Sequence, residues 1–262
     1  MTENPLEIED GLQALRDATP ARIFLARSGL ALTTKANLTF QLDHAEARDA
    51  VHEPFDADAL VESLCGRGLE TLRLASAAPD RRTYLLRPDL GRKLDAASRE
   101  VLAPFADDWD LAFVVADGLS ARAVAAQAVA LLDAAIPPFR RAGWKVAPIL
   151  VVLQGRVAIG DEIGEILGAK LVAVLIGERP GLSSPDSLGV YLTFAPRVGR
   201  SDAERNCLSN IRAAGMSPAE AARRLFHLGG AARRRGLTGV DLKDETPLAQ
   251  DGDELALEAP GG

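Results

Sequence analysis

Three runs of almost unbroken apolar residues, at 111–116, 146–153 and 171–176, constrain this chain more than any other feature. Runs of that kind suit strands buried on both faces of a sheet. The stretches between them, 120–135 and 157–169, carry helical spacing, and the first is followed by Pro137 and Pro138, which are expected to end it. A β-α-β-α-β order dictates a parallel sheet with right-handed crossovers. The expected fold class is therefore α/β, a Rossmann-like parallel sheet with flanking helices, preceded by a mainly helical N-terminal region.

The remaining segments are read from their spacing and punctuation. Ile8, Leu12 and Leu15 form one apolar stripe over 8–16, on a helix too short to stand alone, which must dock on its own body or on a partner. Helices are expected over 36–52, closed by Pro54, and over 56–65, capped by Asp56 and stopped by Gly66. A short strand fits 69–74, a loop rich in Pro, Asp, Arg and Gly fits 75–93, and a fourth strand fits 190–194. The last helix, 218–235, starts at a Ser217 cap with Glu220 in the capping-box position and ends at Gly236, with Gly229 and Gly230 as candidate interruptions. From Asp244 to the end there are six acidic residues and no basic one, a composition expected to be disordered. The chain thus divides into 1–105, mainly helical, 106–245, an α/β domain, and 246–262, an acidic tail.

Composition removes several classes of function. A net charge of -7 repels nucleic acid, and the one basic run, Arg233, Arg234 and Arg235, sits where a helix C-terminus favours cations anyway. No apolar run has the length of a membrane span, and the acidic N-terminus does not resemble a secretory signal. Cys65 and Cys207 stand far apart with no neighbour at metal-ligand spacing, so neither a disulfide framework nor a metal site is expected, and the cytoplasm is the expected compartment.

In a parallel sheet, ligands bind beyond the carboxyl ends of the strands. All three strands end in glycine beside polar residues: Asp117-Gly118, Gln154-Gly155-Arg156 and Gly177-Glu178-Arg179. Such glycines let a ligand approach the backbone, although tight turns would account for each singly. Gly160, Gly164 and Gly168 share one helical face, fitted either to close packing on the sheet or to a broad planar ligand or partner. Asp117 is an acid/base candidate, with a cap or turn as the plainer role. His44, His52 and His227 are scattered, and no phosphate-loop, dinucleotide, zinc or serine-nucleophile motif occurs. The chain does not read as a complete enzyme, and no catalytic residue is assigned to it.

The blocks LQGRVAIGDEIGEILGAK, LIGERPGL, YLTFAPR and SDAERNCLSNIR, in this order, resemble the small (light) subunit of adenosylcobalamin-dependent ethanolamine ammonia-lyase. VADGLSARAV, GVDLKDE and the N-terminal LDHAEARDAV fit the same family. The resemblance implies a hetero-oligomer in which a large subunit deaminates ethanolamine to acetaldehyde and ammonia by radical chemistry, with the cofactor lying between the subunits. It implies cobalamin contacts at Val157, Glu178 and Cys207, where Val157 offers an amide and an apolar side chain, Glu178 an acceptor, and Cys207 a small thiol or its backbone. On this reading 106–245 binds cobalamin and 1–105 docks on the large subunit. The first helix becomes a candidate tag for a bacterial microcompartment. No Asp-x-His-x-x-G motif is present, so dimethylbenzimidazole is expected to stay on cobalt. The competing expectation is a freestanding nucleotide-binding or regulatory α/β module.

Overall fold

The computed structural model of the chain describes residues 12–19, 21–25 and 27–247. The apolar stripe expected over 8–16 falls partly outside these residues, and most of the acidic tail lies beyond them; residues 12–17 are helical. A two-stranded ribbon, β1 (Arg27–Ser28) and β2 (Ala31–Leu32), precedes helix α1 (Thr34–His52) and helix α2 (Ala57–Cys65). Their caps are Thr33 and Asp56, whose side chains accept from the amides of Ala36 and Ala59.

Six strands then build one sheet: β3 (Thr71–Ala75), β4 (Leu111–Ala116), β5 (Ile149–Leu153), β6 (Leu171–Gly177), β7 (Leu188–Phe194) and β8 (Arg205–Ile211). Their order is β3-β5-β4-β6-β7-β8. The first four are parallel, while β7 runs antiparallel to both β6 and β8. Every residue of β4 and β6 is buried, which is why these runs carry no alternation.

Side chains of β4 divide between two cores, one on each face. Leu111, Phe113 and Val115 pack with α5 (Ala121–Arg141), α7 (Pro218–Arg235) and α2. Ala112, Val114 and Ala116 pack with α6 (Ile159–Leu167) and with α4 (Ala96–Leu102). The two crossover helices thus lie on opposite faces, because the chain moves from β4 to β5 in one direction and from β5 to β6 in the other.

Several elements differ from expectation. Helix α5 runs through Pro137 and Pro138 to Arg141. Proline removes an amide and strains the preceding turn. Here Phe139 holds the last turn in place, with ring centroids 6.1 Å from Phe113, 4.9 Å from Trp144 and 5.1 Å from Phe226. The segment expected as loop contains α3 (Arg81–Leu86), capped by Asp80, and α4 follows it, capped by Asp95. Gly229 and Gly230 do not interrupt α7; a Cβ on Gly229 would lie 3.0 Å from the Phe139 ring. Ser217 caps α7, but the Glu220 carboxylate turns to Arg223 and Arg224 instead of closing a capping box.

Candidate functional site

The carboxyl ends of β4, β5 and β6 meet at one edge of the sheet, and the glycines there face protein. A Cβ on Gly118 would sit 2.3 Å from the Gly177 carbonyl oxygen, and one on Gly177 would sit 2.1 Å from that of Ser120. The strand ends are therefore welded together by backbone contact. Gly155 likewise abuts Ala116, at 2.8 Å from its Cβ. The glycine face of α6 lies on the sheet: Cβ atoms on Gly160 and Gly164 would come within 2.5 Å of Val174 and 2.4 Å of Pro196. Gly168 is the left-handed residue that ends the helix.

Beyond these welded ends lie two open clefts that share a wall made of Arg156, Val157 and Tyr191. The first, of about 400 Å³, also takes in Gly118, Ile176 and Glu178. The second, of about 540 Å³, extends over Ala158 towards Val198 and Asp202. Val157 lies in the turn that opens α6 and lines both clefts. Glu178 follows β6 and lines the first. Cys207 is exposed on β8, and its Cα is the register partner of Tyr191 on β7. The three residues singled out in the sequence thus converge on Tyr191, which the sequence did not single out.

Glu178 is held by donors from two other strand ends. Its carboxylate accepts from the Ser187 hydroxyl at 2.6 Å, from the Ser209 hydroxyl, and from the Asn210 amide at 3.2 Å. Asn210 reaches it by adopting a left-handed backbone, φ 61°, at the irregular end of β8. Gly189 leaves the space: a Cβ there would lie 2.9 Å from Glu178 Oε1. The carboxylate is thus fixed in direction while keeping lone pairs for a ligand donor.

Cys207 sits on strand β8, an element that the sequence reading did not include. In β8 only Arg205, Leu208 and Ile211 are buried, so the pattern of a half-covered edge strand is broken by its irregular pairing. The Cys207 thiol is raised above its ordinary range by desolvation, with the charge of Glu178 acting in the same direction. It is a neutral thiol near pH 7, suited to packing and not to nucleophilic attack.

A buried cluster supports the first cleft from beneath. Arg81 donates to the Val51 carbonyl at 2.7 Å and to the Gly118 carbonyl at 2.7 Å, and lies 3.4 Å from Asp117 Oδ2. Its guanidinium stacks on Tyr84, 4.8 Å from the ring centroid, and Arg156 stacks on the same ring at 4.2 Å. Tyr84 is wholly buried and donates its hydroxyl to the Gly155 carbonyl at 3.2 Å.

Asp117, buried at 2% exposure, accepts the Gly155 amide at 3.1 Å. Ser120, and not Asp117, caps α5. Burial pushes the Asp117 carboxyl up to about 6, against the opposing pull of Arg81. Since its folded value lies above the ordinary 3.8, the folded state binds the extra proton between those values, and stability falls as pH rises through that window. The ionised form therefore costs on the order of 2–3 kcal/mol at pH 7. Asp117→Asn should flatten the decline in melting temperature between pH 4.5 and 7, measured against wild type; an unchanged decline would mean that another group causes it.

Among the described residues, no group of three or more His, Cys, Asp or Glu side chains could hold a metal ion, and no helix is long and apolar enough to cross a membrane. His44, His52 and His227 are exposed, and none lines either cleft. Arg233 is drawn to Trp144 and Asp110, away from the edge.

Comparison with known proteins settles the family. A family model described as ethanolamine ammonia-lyase light chain matches residues 9–243. The chain belongs to that family. The ethanolamine ammonia-lyase small subunit of Azotobacter vinelandii is 56% identical over 257 residues, which cover 95% of this chain and 92% of that protein. The small subunit of Ralstonia nicotianae is 54% identical, covering 96% and 93%. That of Pseudomonas syringae pv. tomato is 52% identical, covering 95% and 90%. These light chains are named as subunits of a lyase, and the match spans the N-terminal helices as well as the sheet. In this light chain the residues that spacing alone did not reveal are Tyr84, Arg81, Arg156 and Tyr191. Only Arg156 carried a local signal, as the residue that follows the glycine after β5.

Proposed function

We propose that this chain is the cofactor-holding small subunit of an adenosylcobalamin-dependent ethanolamine ammonia-lyase, in which a large subunit converts ethanolamine to acetaldehyde and ammonia. The observation that carries this reading is the convergence of Val157, Glu178 and Cys207 on Tyr191 at an open sheet edge. The residues present fit such a ligand. Both clefts are open, so a broad molecule laid across their shared wall keeps one side uncovered for a partner to close. Val157 offers apolar surface, Glu178 a fixed acceptor for amide donors, and Cys207 a neutral thiol for packing. When bound, the cofactor supplies radical chemistry at its cobalt–carbon bond.

Catalytic side chains belong to the large subunit on this reading. Region 1–105 docks there, and α1 offers the surface: only Ala50 is buried in it, while Leu38, Phe40 and Leu42 are exposed. Domain 106–245 holds the cofactor. The protein works in the cytoplasm or inside a microcompartment, and deleting residues 1–18 tests the latter, with unchanged packaging counting against the tag. With no Asp-x-His-x-x-G motif in the sequence, this chain would supply no histidine to the cofactor, and Val157, Glu178 and Cys207 would hold it. Hyperfine splitting from a histidine nitrogen in the cob(II)alamin spin resonance spectrum would contradict that.

Co-expression with the large subunit should give a red complex that retains cobalamin. A colourless, self-sufficient protein would favour the freestanding module. In the complex, Glu178→Ala should weaken cobalamin retention by about 10-fold, the scale of one hydrogen bond, and Cys207→Ala by less. Unchanged affinity in both removes the assignment.

A further inference from the structure

The second cleft holds cations without partners. Arg92, Lys93 and Arg156 all line it, and none has a carboxylate within 4.0 Å among the described residues. Its acids are outnumbered: Asp89 pairs with Arg87 at 2.8 Å and Asp161 with Arg205 at 2.6 Å, which leaves only the exposed Asp202, 3.5 Å from the same Arg205, against the three cations. The cleft is therefore electropositive although the chain as a whole is acidic.

Arg156 is fixed in place while some of its donors are taken up by no described protein group. Its guanidinium lies on Tyr84, and Nη2 donates to the Tyr84 carbonyl at 2.9 Å. Gly91 gives it room, since a Cβ there would lie 2.8 Å from Arg156 Cγ. Nε is buried without a partner, and Nη1 donates to no described group. Beside it, the amides of Val157 and Ala158 also donate to no described group, while that of Arg156 is taken by the Gly91 carbonyl at 2.8 Å. These two amides open α6, whose start has no side-chain cap. The acids of its first turn are neutralised, Asp161 by Arg205 and Glu162 by Arg99 at 2.6 Å, so they do not repel an anion.

We propose that the Arg156 guanidinium and the Val157 and Ala158 amides form a phosphate subsite, and that its occupant is the phosphodiester in the nucleotide tail of the cobalamin. This rests on the function proposed above. A tetrahedral oxyanion presents acceptors to donors on two sides, and a planar arginine fixed by stacking loses little freedom on binding it. Arg92 and Lys93 add long-range attraction.

The test uses the complex with the large subunit, titrated with cyanocobalamin, with cobinamide, which lacks the nucleotide tail and its phosphodiester, and with inorganic phosphate. Arg156→Ala should weaken cyanocobalamin binding by about 10- to 100-fold and leave cobinamide affinity unchanged, with Arg156→Lys in between. Equal losses for both corrinoids would mean a structural role, and no loss for either would mean no role; each overturns the proposal. If inorganic phosphate raises the melting temperature of wild type but not of Arg156→Ala, while cyanocobalamin affinity is indifferent to the substitution, the occupant is free phosphate and the tail assignment fails. A wild-type complex that binds neither corrinoid sinks the parent function instead; protection by phosphate that depends on Arg156 then keeps the anion subsite, and its absence removes it.

Discussion

Arg205→Ala should destabilise the protein by about 3–5 kcal/mol, the usual cost of leaving one member of a buried ion pair alone. Arg205 and Asp161 meet through two hydrogen bonds, 2.6 and 2.7 Å, with side chains only 1% and 3% exposed. The second donors of Nη1 and Nη2 reach Thr193 and the Arg200 carbonyl, while the buried Nε makes no hydrogen bond and lies 3.5 Å from Asp202. The pair joins α6, which Val157 introduces, to β8, which bears Cys207, so its loss should also loosen the edge proposed to hold the cofactor. Urea titration reads the stability, and cobalamin retention in the complex reads the edge. Replacing both partners together, Asp161→Leu with Arg205→Met, should recover most of the stability, because the desolvation cost of the charges disappears with them. If Arg205→Ala costs under about 1 kcal/mol, the pair is not the tie between these elements.

Gly118→Ala should cost a comparable amount, about 3–5 kcal/mol, for a different reason. The left-handed backbone, φ 56°, penalises any L side chain by about 1–2 kcal/mol. Its Cβ would collide with the Gly177 carbonyl at 2.3 Å and with Ile176 at 2.4 Å. Relief requires β4 and β6 to part, and they are paired from Leu111↔Leu171 to Ala116↔Ile176. Overpacking of this kind adds about 1–3 kcal/mol or more. Gly143→Ala makes the control, since it shares the left-handed backbone, φ 76°, but meets nothing within 4 Å. Equal losses at the two glycines would show that conformation alone matters and that the strand ends tolerate a methyl group.

The sheet's centre was legible because burial on both faces leaves no polar position in β4 or β6 for the sequence to display. Helix caps were legible where one residue decides them, as at Asp56, Ser217 and Gly236. Edge strand β8 was not, since RNCLSNI buries only Arg205, Leu208 and Ile211, and a buried arginine reads as a surface one until Asp161 is seen opposite. The end of α5 was misjudged because two prolines argue locally, whereas Phe139 is held by Phe113 and Phe226, far away in the chain. Of the proposed contacts, Glu178 stood at a strand end where the rule for parallel sheets places ligands, and Val157 came through family resemblance. Cys207 came in the same way, with no signal of its own. The stack of Arg81, Tyr84 and Arg156 unites residues from α3 and from the turn after β5, and no spacing in the sequence announces it.

The two borders of the sheet bear on how this molecule can meet another. An uncovered border strand invites a further strand to add to it. At the start of β8 the segment 238–242 covers the border: the Asn206 side-chain amide donates to the Leu242 carbonyl at 2.8 Å, and the Val240 amide donates to the carbonyl of Ala203, just before the strand, at 2.9 Å. Asn210 then bends the strand away at its far end. At β3 the border is five residues long, with Arg73 paired outward to Asp58 at 3.0 Å. Neither border is shaped to template a neighbour's backbone. Association is left to side chains, and so can be matched to one partner without exposing the sheet to indiscriminate extension.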